Sequence, residues 1–255
     1  MSLQKDQANH FRALHVKGDP IILYNIWDAG SAKTVARAGA KALATGSAPV
    51  AMANGFKDGE ELSLDFAIEN IKRIIKSVDL PVTMDIESGY GEAPHEVEVM
   101  MEKVLSSGVV GVNFEDQIVK GNGLYSIPEQ CERIKGLVKA CDAADVPAFI
   151  NARTDIFLKA PQETHSEEML DEAIERAKAY EQAGASGFFA PGLKEESLID
   201  KLCQSVNLPV NIMGRANTLT KERISELGVA RLSFGPEPFL KVQAALAEMA
   251  KEKLS

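Results

Sequence analysis

The chain has 255 residues, 45% of them hydrophobic and 25% charged, a composition that suits a globular protein with a sizeable core and excludes a disordered one. A formal net charge of −9, with no basic stripe, disfavours nucleic-acid backbones as partners. No run of about 18 apolar residues occurs and Met1 to Lys17 lacks a secretory apolar core, so no membrane span is expected and a cytoplasmic location is the default.

A helix is expected over 4–17. Eight short, β-prone apolar runs then recur, over 21–27, 42–45, 82–86, 109–114, 148–152, 187–191, 210–213 and 231–234, with helical stretches between them. Most are nearly continuous in apolar residues, as parallel strands covered by helices are. Over 64–78, Phe66, Ile68, Ile71, Ile74 and Ile75 repeat at helical spacing while Asn70, Lys72 and Arg73 face elsewhere. The segment 166–183 opens on a Ser-Glu-Glu cap signal and closes at Gly184, 194–206 and 220–227 are similar, and 238–254 reads as a last helix. Gly39, Gly184 and Gly228 each end a helix and lead through a small apolar residue into the next run, as short αβ turns do. The length and the eight βα repeats predict one (β/α)8 TIM barrel spanning 1–255, a closed parallel sheet ringed by helices. An open, doubly wound sheet is the structural alternative, because alternation alone does not prove closure.

Cys131, Cys141 and Cys203 are odd in number and match no metal-binding spacing, and the first two share a helical stretch, so unpaired thiols are expected. Polar residues gather instead where strands end: Asp28, Thr45-Gly46-Ser47, Asp85 with Glu87, Glu115 with Asp116, and Arg153 with Asp155. In a barrel these ends converge on one mouth. Asp85 and Glu87 stand two apart, so on a strand they would point to the same side. With Glu115 they make three converging carboxylates, which repel unless a cation sits among them. A hard, oxygen-liganded ion such as Mg²⁺ fits, with Mn²⁺ as the alternative, and the absence of His and Cys at these ends argues against zinc. Helix capping or ion pairing is the plain alternative for each acid taken singly. Arg153 suits a substrate carboxylate through its planar fork, or pairs structurally with Asp155 or Glu115. Backbone N–H groups at Gly46 and Ser47 suit a developing oxyanion. The polar stretches 53–61 and 117–128 follow strands and read as active-site loops, the second as a lid.

These residues together resemble the isocitrate lyase and phosphoenolpyruvate mutase superfamily, from about Tyr24 to Phe234. Asp85-Ile86-Glu87-Ser88-Gly89-Tyr90-Gly91 is similar to the family's Asp-x-Asp-x-Gly-Tyr/Phe-Gly. Asn113-Phe114-Glu115-Asp116-Gln117, the stretch from Tyr24 to Ala32 and Ala152-Arg153-Thr154-Asp155 extend the match. The resemblance implies a Mg²⁺-dependent barrel acting on 2-oxo acids. Asp85 would be the direct metal ligand, and Glu87, Glu115 and Asp58 would hold metal-bound waters. Tyr24, Thr45, Gly46, Ser47, Asp85 and Arg153 would contact substrate, with Asp58, Asn122 and Arg153 in catalytic roles. It also implies a homo-oligomer, a dimer or tetramer, in which 238–254 packs on a neighbour. The departures are specific. The lyase branch carries Lys-Lys-Cys-Gly-His in its loop, whereas this chain reads Val119-Lys120-Gly121-Asn122-Gly123-Leu124, closer to the mutase and phosphonopyruvate hydrolase version. Gly123 replaces a Ser, Glu87 replaces an Asp, and Ala190-Pro191-Gly192 stands where the mutase has a His.

The leading expectation is a Mg-dependent lyase or mutase that breaks the C–C or C–P bond of a small 2-oxo acid through an enolate. Mutase, phosphonopyruvate hydrolase, oxaloacetate decarboxylase and C–C lyase stay open. A catalytically silent 2-oxo-acid-binding barrel is the alternative from another class. An unrelated phosphate-binding barrel would want Gly-rich loops after the last strands, of which Met213-Gly214-Arg215 and Phe234-Gly235-Pro236 supply little.

Overall fold

A computed structural model of the chain describes residues 3–214 and 220–254; Arg215, and with it part of the loop after the seventh run, lies outside the described residues. Eight strands form one all-parallel sheet: β1 (Ile21–Leu23), β2 (Leu43–Ala44), β3 (Val82–Asp85), β4 (Gly111–Glu115), β5 (Phe149–Arg153), β6 (Gly187–Ala190), β7 (Val210–Met213) and β8 (Arg231–Ser233). Each pairs with its sequence neighbour from β2 through β8, and β8 pairs with β1. The ring closes where Ile26 bridges Thr45: the Ile26 N–H donates to the Ala44 carbonyl at 2.9 Å, and the Gly46 N–H donates to the Ile26 carbonyl at 3.3 Å. The barrel is the expected one, and closure excludes the open sheet. The first run is shorter than expected, because β1 stops at Leu23 and only Ile26 rejoins the sheet.

Helices α1 (Leu3–Ala13), α2 (Ala29–Arg37), α3 (Ser47–Ala53), α4 (Leu64–Ile75), α5 (Pro94–Ser106), α6 (Ile127–Ala143), α7 (Glu167–Gln182), α8 (Glu196–Ser205), α9 (Lys221–Glu226) and α10 (Glu237–Leu254) connect or flank the strands. Their starts are chemically marked: the side chains of Asp28, Ser63, Ser126 and Ser166 each accept a first-turn N–H. Cys131 and Cys141 share α6, and all three thiols are free. The expected first helix ends early, at Ala13, and the chain turns through a Val16–Asp19 bridge.

Inside the ring, alternate residues of each strand point inward. Phe149 fills the amino-terminal end of the lumen. Gly187 on the adjacent β6 makes room for it, since a Cβ there would stand 2.7 Å from the ring. Phe11 and His15 then plug that end, with His15 stacked 3.9 Å from Phe149 and Phe11 edge-on at 5.8 Å. Burial and then the nearby Arg231 hold His15 down to about 3, so it is a neutral packing residue. Above this plug the lumen is polar rather than branched aliphatic: Asn113, Asn151, Asn211, Arg231 and Ser233 are all buried there. Only the opposite, carboxyl end is left for chemistry.

Candidate active site

Thr45 directly follows β2, and its hydroxyl accepts the Asp85 N–H at 3.0 Å, which fixes the end of β3. Asp85 is partly exposed at the mouth. Its Oδ1 accepts the Glu87 N–H at 3.1 Å, and its Oδ2 lies 3.5 Å from Nδ2 of Asn113, its register partner on β4. Contrary to the expectation from the two-residue spacing, Glu87 does not lie on the strand. β3 stops at Asp85, and Glu87 takes a left-handed backbone with φ 50°. That turn sends its carboxylate to the 53–61 loop, where Oε2 accepts the N–H groups of Gly59 and Glu60, both at 2.7 Å. Glu60 in turn accepts the Tyr90 N–H at 2.8 Å, so the loop carrying Asp58 is latched to the mouth.

Glu115 ends β4 and is buried, with Oε2 2.8 Å from Nη1 of Arg153 on β5. Arg153 also donates from Nε and Nη2 to the two carboxylate oxygens of Asp155, at 2.5 and 2.9 Å. Three of its five donors face acids, and the remaining two are available to another group. Asp155 is held by Asp116, which accepts its N–H at 3.0 Å. Asp116 is itself paired with Arg176 at 3.2 Å and the Tyr180 hydroxyl at 2.9 Å, and Arg176 also binds the Tyr125 carbonyl at the base of the 117–128 loop.

Acids outnumber cations in this mouth. Burial, then Asp58 and Asp85, push Glu87 up to about 8. Burial raises Asp85 against the pull of Arg153, and Asp58 adds to the rise. Glu115 is raised by burial and by Asp155, Asp85 and Glu87, in spite of Arg153. For Arg153 burial opposes charge, but Glu115 and Asp155 outweigh it and hold the guanidinium protonated. A second cation of oxygen-loving character suits this donor set. A three-carboxylate ligand cage is not formed: among the described residues no three His, Cys, Asp or Glu side chains converge as one. Glu87 is drawn to the Gly59–Glu60 turn and Glu115 to Arg153, which leaves Asp85 as the carboxylate that can bind an ion directly. A cavity of about 20 Å³ lies beside Thr45, Gly46, Ser47, Asp85, Glu87 and Tyr90. About 10–15 Å³ holds one water, so this hollow has room for an ion or a water.

Other expected residues fall differently. The Gly46 N–H is used in closing the barrel, whereas Ser47 opens α3. Asp58 is exposed but close enough to act on Asp85 and Glu87. Asn122 is exposed in the Gln117–Leu124 hairpin, which is pinned by the Ile118 N–H on the Gly123 carbonyl, and among the described residues no hydrogen bond ties it to the carboxylates. Tyr24 is not brought to the mouth: strand alternation turns it to the outer face, its ring 5.1 Å from Phe234. The neighbouring Asn25 is the buried one, joining the Thr45 carbonyl to the Phe234 and Gly235 N–H groups. Asn151, Asn211 and Arg231 were legible only as polar residues alternating inside runs that otherwise read as apolar.

Residues 11–254 match the phosphoenolpyruvate phosphomutase family. A phosphonomutase-like protein from Burkholderia cenocepacia J2315 superposes with a TM-score of 0.95 at 46% identity, over 98% of this chain and 99% of that one. The 2-methylisocitrate lyase of Escherichia coli (strain K12) is 30% identical over 78% of this chain and 67% of its own length. The oxaloacetate decarboxylase of Rhodopseudomonas palustris (strain TIE-1) is 28% identical over 75% of this chain and 68% of its own. The barrel, the acidic mouth and these likenesses agree: the chain belongs to the phosphoenolpyruvate phosphomutase family, in the superfamily of lyases and mutases that includes 2-methylisocitrate lyase.

Proposed function

We propose that this chain is a divalent-metal-dependent lyase or mutase that breaks the C–C or C–P bond of a small 2-oxo acid through an enolate. The observation that carries the reading is the excess of buried carboxylates around Asp85, of which Glu115 is ion-paired with Arg153. Asp85 would hold Mg²⁺, or Mn²⁺ in its place, with Glu87, Glu115 and Asp58 at one remove. A bound ion would polarise the 2-oxo group and balance the acids. The protein's own groups do the rest. Arg153, braced by Asp155, offers its two remaining N–H donors to an anionic substrate group. Thr45 and Ser47 border the same cavity. The Gln117–Leu124 hairpin and the loop latched by Glu87 would shield the mouth from water when substrate is bound.

The test is turnover of the 2-oxo acids oxaloacetate and phosphonopyruvate, and of 2-methylisocitrate, a 2-hydroxy acid whose C–C cleavage releases a 2-oxo acid, with Mg²⁺ and with EDTA. Metal-dependent turnover abolished in Asp85→Ala supports the reading. Oxalate binding without any turnover favours the silent 2-oxo-acid binder instead.

A homo-oligomer is also proposed. Helix α10 buries only Pro238 and Phe239, while Leu240, Val242, Leu246 and Met249 are at least half exposed. Beside its base an apolar groove that includes Leu14, Ile22, Tyr24 and Val35 forms hollows of about 540 and 480 Å³. A helix from a second copy would cover both surfaces.

A further inference from the structure

Arg231 lies at the start of β8 and is completely buried in the lumen. A buried guanidinium ordinarily has a carboxylate against it. Here the contacts are neutral: Nε donates to the Ser233 hydroxyl at 3.2 Å, and Nη2 donates to Oδ1 of Asn113 at 3.1 Å. Nη1 has no hydrogen-bond partner among the described residues. β8 and β4 stand on opposite sides of the ring, so the arginine crosses the lumen to reach Asn113. Burial draws its pKa down to about 9 while Asp85 pulls it up, so it stays charged at neutral pH.

The destination of that reach is the telling feature. The Asn113 Oδ1 accepts two donors, Arg231 from β8 and Nδ2 of Asn151 from β5 at 2.9 Å. Two donors on the oxygen fix which way the amide faces, and its NH₂ is thereby turned to Asp85 Oδ2, 3.5 Å away. We propose that Arg231 is a positioning residue for the metal ligand, acting across the lumen through Asn113 to set the orientation of the Asp85 carboxylate. The long side chain is required because the two strands face each other across the barrel. A partner one bond behind a ligand, as Asn113 is behind Asp85, typically changes metal affinity by about 10–100-fold when removed; Arg231 stands one bond further back, so the low end of that range is expected of it.

This inference rests on the reading that Asp85 binds a divalent ion, and the experiment separates the two. Mn²⁺ binding to wild type, Asp85→Ala, Arg231→Met, Arg231→Lys and Asn113→Ser is followed by the electron paramagnetic resonance signal of free Mn²⁺, with no substrate present. Thermal unfolding in EDTA reports on the fold. Arg231→Met is expected to weaken Mn²⁺ binding about tenfold. Arg231→Lys, which keeps a charged donor for Asn113, is expected to recover most of that loss. Asn113→Ser breaks the same link from its other end, leaving the buried guanidinium in place, and is expected to lose affinity likewise, which keeps the test alive if Arg231→Met does not fold. Arg231→Met or Asn113→Ser binding Mn²⁺ as tightly as wild type overturns the positioning role alone. Wild type failing to bind Mn²⁺, or Asp85→Ala binding it unchanged, overturns the metal reading and this inference together.

Discussion

Arg153 and Asp155, two residues apart at the end of β5, form a two-pronged pair in which Nε and Nη2 of the arginine meet the two oxygens of one carboxylate at 2.5 and 2.9 Å. The third terminal nitrogen, Nη1, reaches Glu115 on the neighbouring strand, 2.8 Å away. A lysine has no fork with which to serve two acids at once. Arg153→Lys should therefore lower kcat/KM about 100-fold on whichever 2-oxo acid the panel identifies, a loss of about 3 kcal/mol as expected for charge-assisted hydrogen bonds. Steady-state kinetics check this, and unchanged constants would remove Arg153 from the site.

Asp85→Ala should abolish metal-dependent turnover and Mg²⁺-induced thermal stabilisation while leaving the circular dichroism spectrum intact. Burial already raises the proton affinity of this carboxylate, so its loss relieves charge rather than breaking a core contact. In EDTA the variant should melt no lower than wild type.

The metal-free protein should lose stability as pH rises above neutrality. Glu87 binds its proton up to about 8 when folded against 4.5 as a free carboxyl. Between those values the native state holds more protons than the unfolded chain, so the slope of stability with pH is negative. His15 works in the opposite direction, but only below its unfolded value of 6.5. Between pH 6.5 and 8 the acids act alone, and the loss reaches up to about 2 kcal/mol. Urea unfolding in EDTA across this interval measures it. Glu87→Gln should flatten the slope, and a wild-type slope of zero or above counts against the Glu87 environment described here.

Arg176→Met should destabilise the fold by about 3 kcal/mol, because it strands the fully buried Asp116 carboxylate. The denaturant midpoint should fall without a change in m-value. A shift of a few tenths of a kcal/mol would mean that the Tyr180 hydroxyl and the Asp155 N–H suffice for Asp116.

If the proposed homo-oligomer forms through α10, Val242→Glu combined with Leu246→Glu should convert it to monomers in light scattering. Both positions are half exposed in the single chain, so its melting temperature at low concentration should hold. A mass unchanged from wild type refutes assembly through α10.

Eight runs of β-prone residues, capped helices and the glycines that end them were enough to specify a parallel βα architecture, because strand and helix periodicities are local properties of the chain, whereas closure of the sheet was decided by the tertiary structure. Asp85, Glu115 and Arg153 were legible for a related reason: in this architecture the end of every strand opens on one mouth. The turn at Glu87 was not, since its left-handed backbone and its bond to the Gly59–Glu60 turn join segments 27 residues apart or more. Tyr24 is expected at the substrate but faces outward, and the adjacent Asn25, unassigned from the sequence, is the buried one, held by N–H groups just after β8 and by the Thr45 carbonyl, which only the folded ring brings to it. Arg231 meeting Asn113 is the clearest case of what folding alone decided. Their separation of 118 residues collapses to one hydrogen bond only when the ring closes, and no pattern along the chain carries that distance.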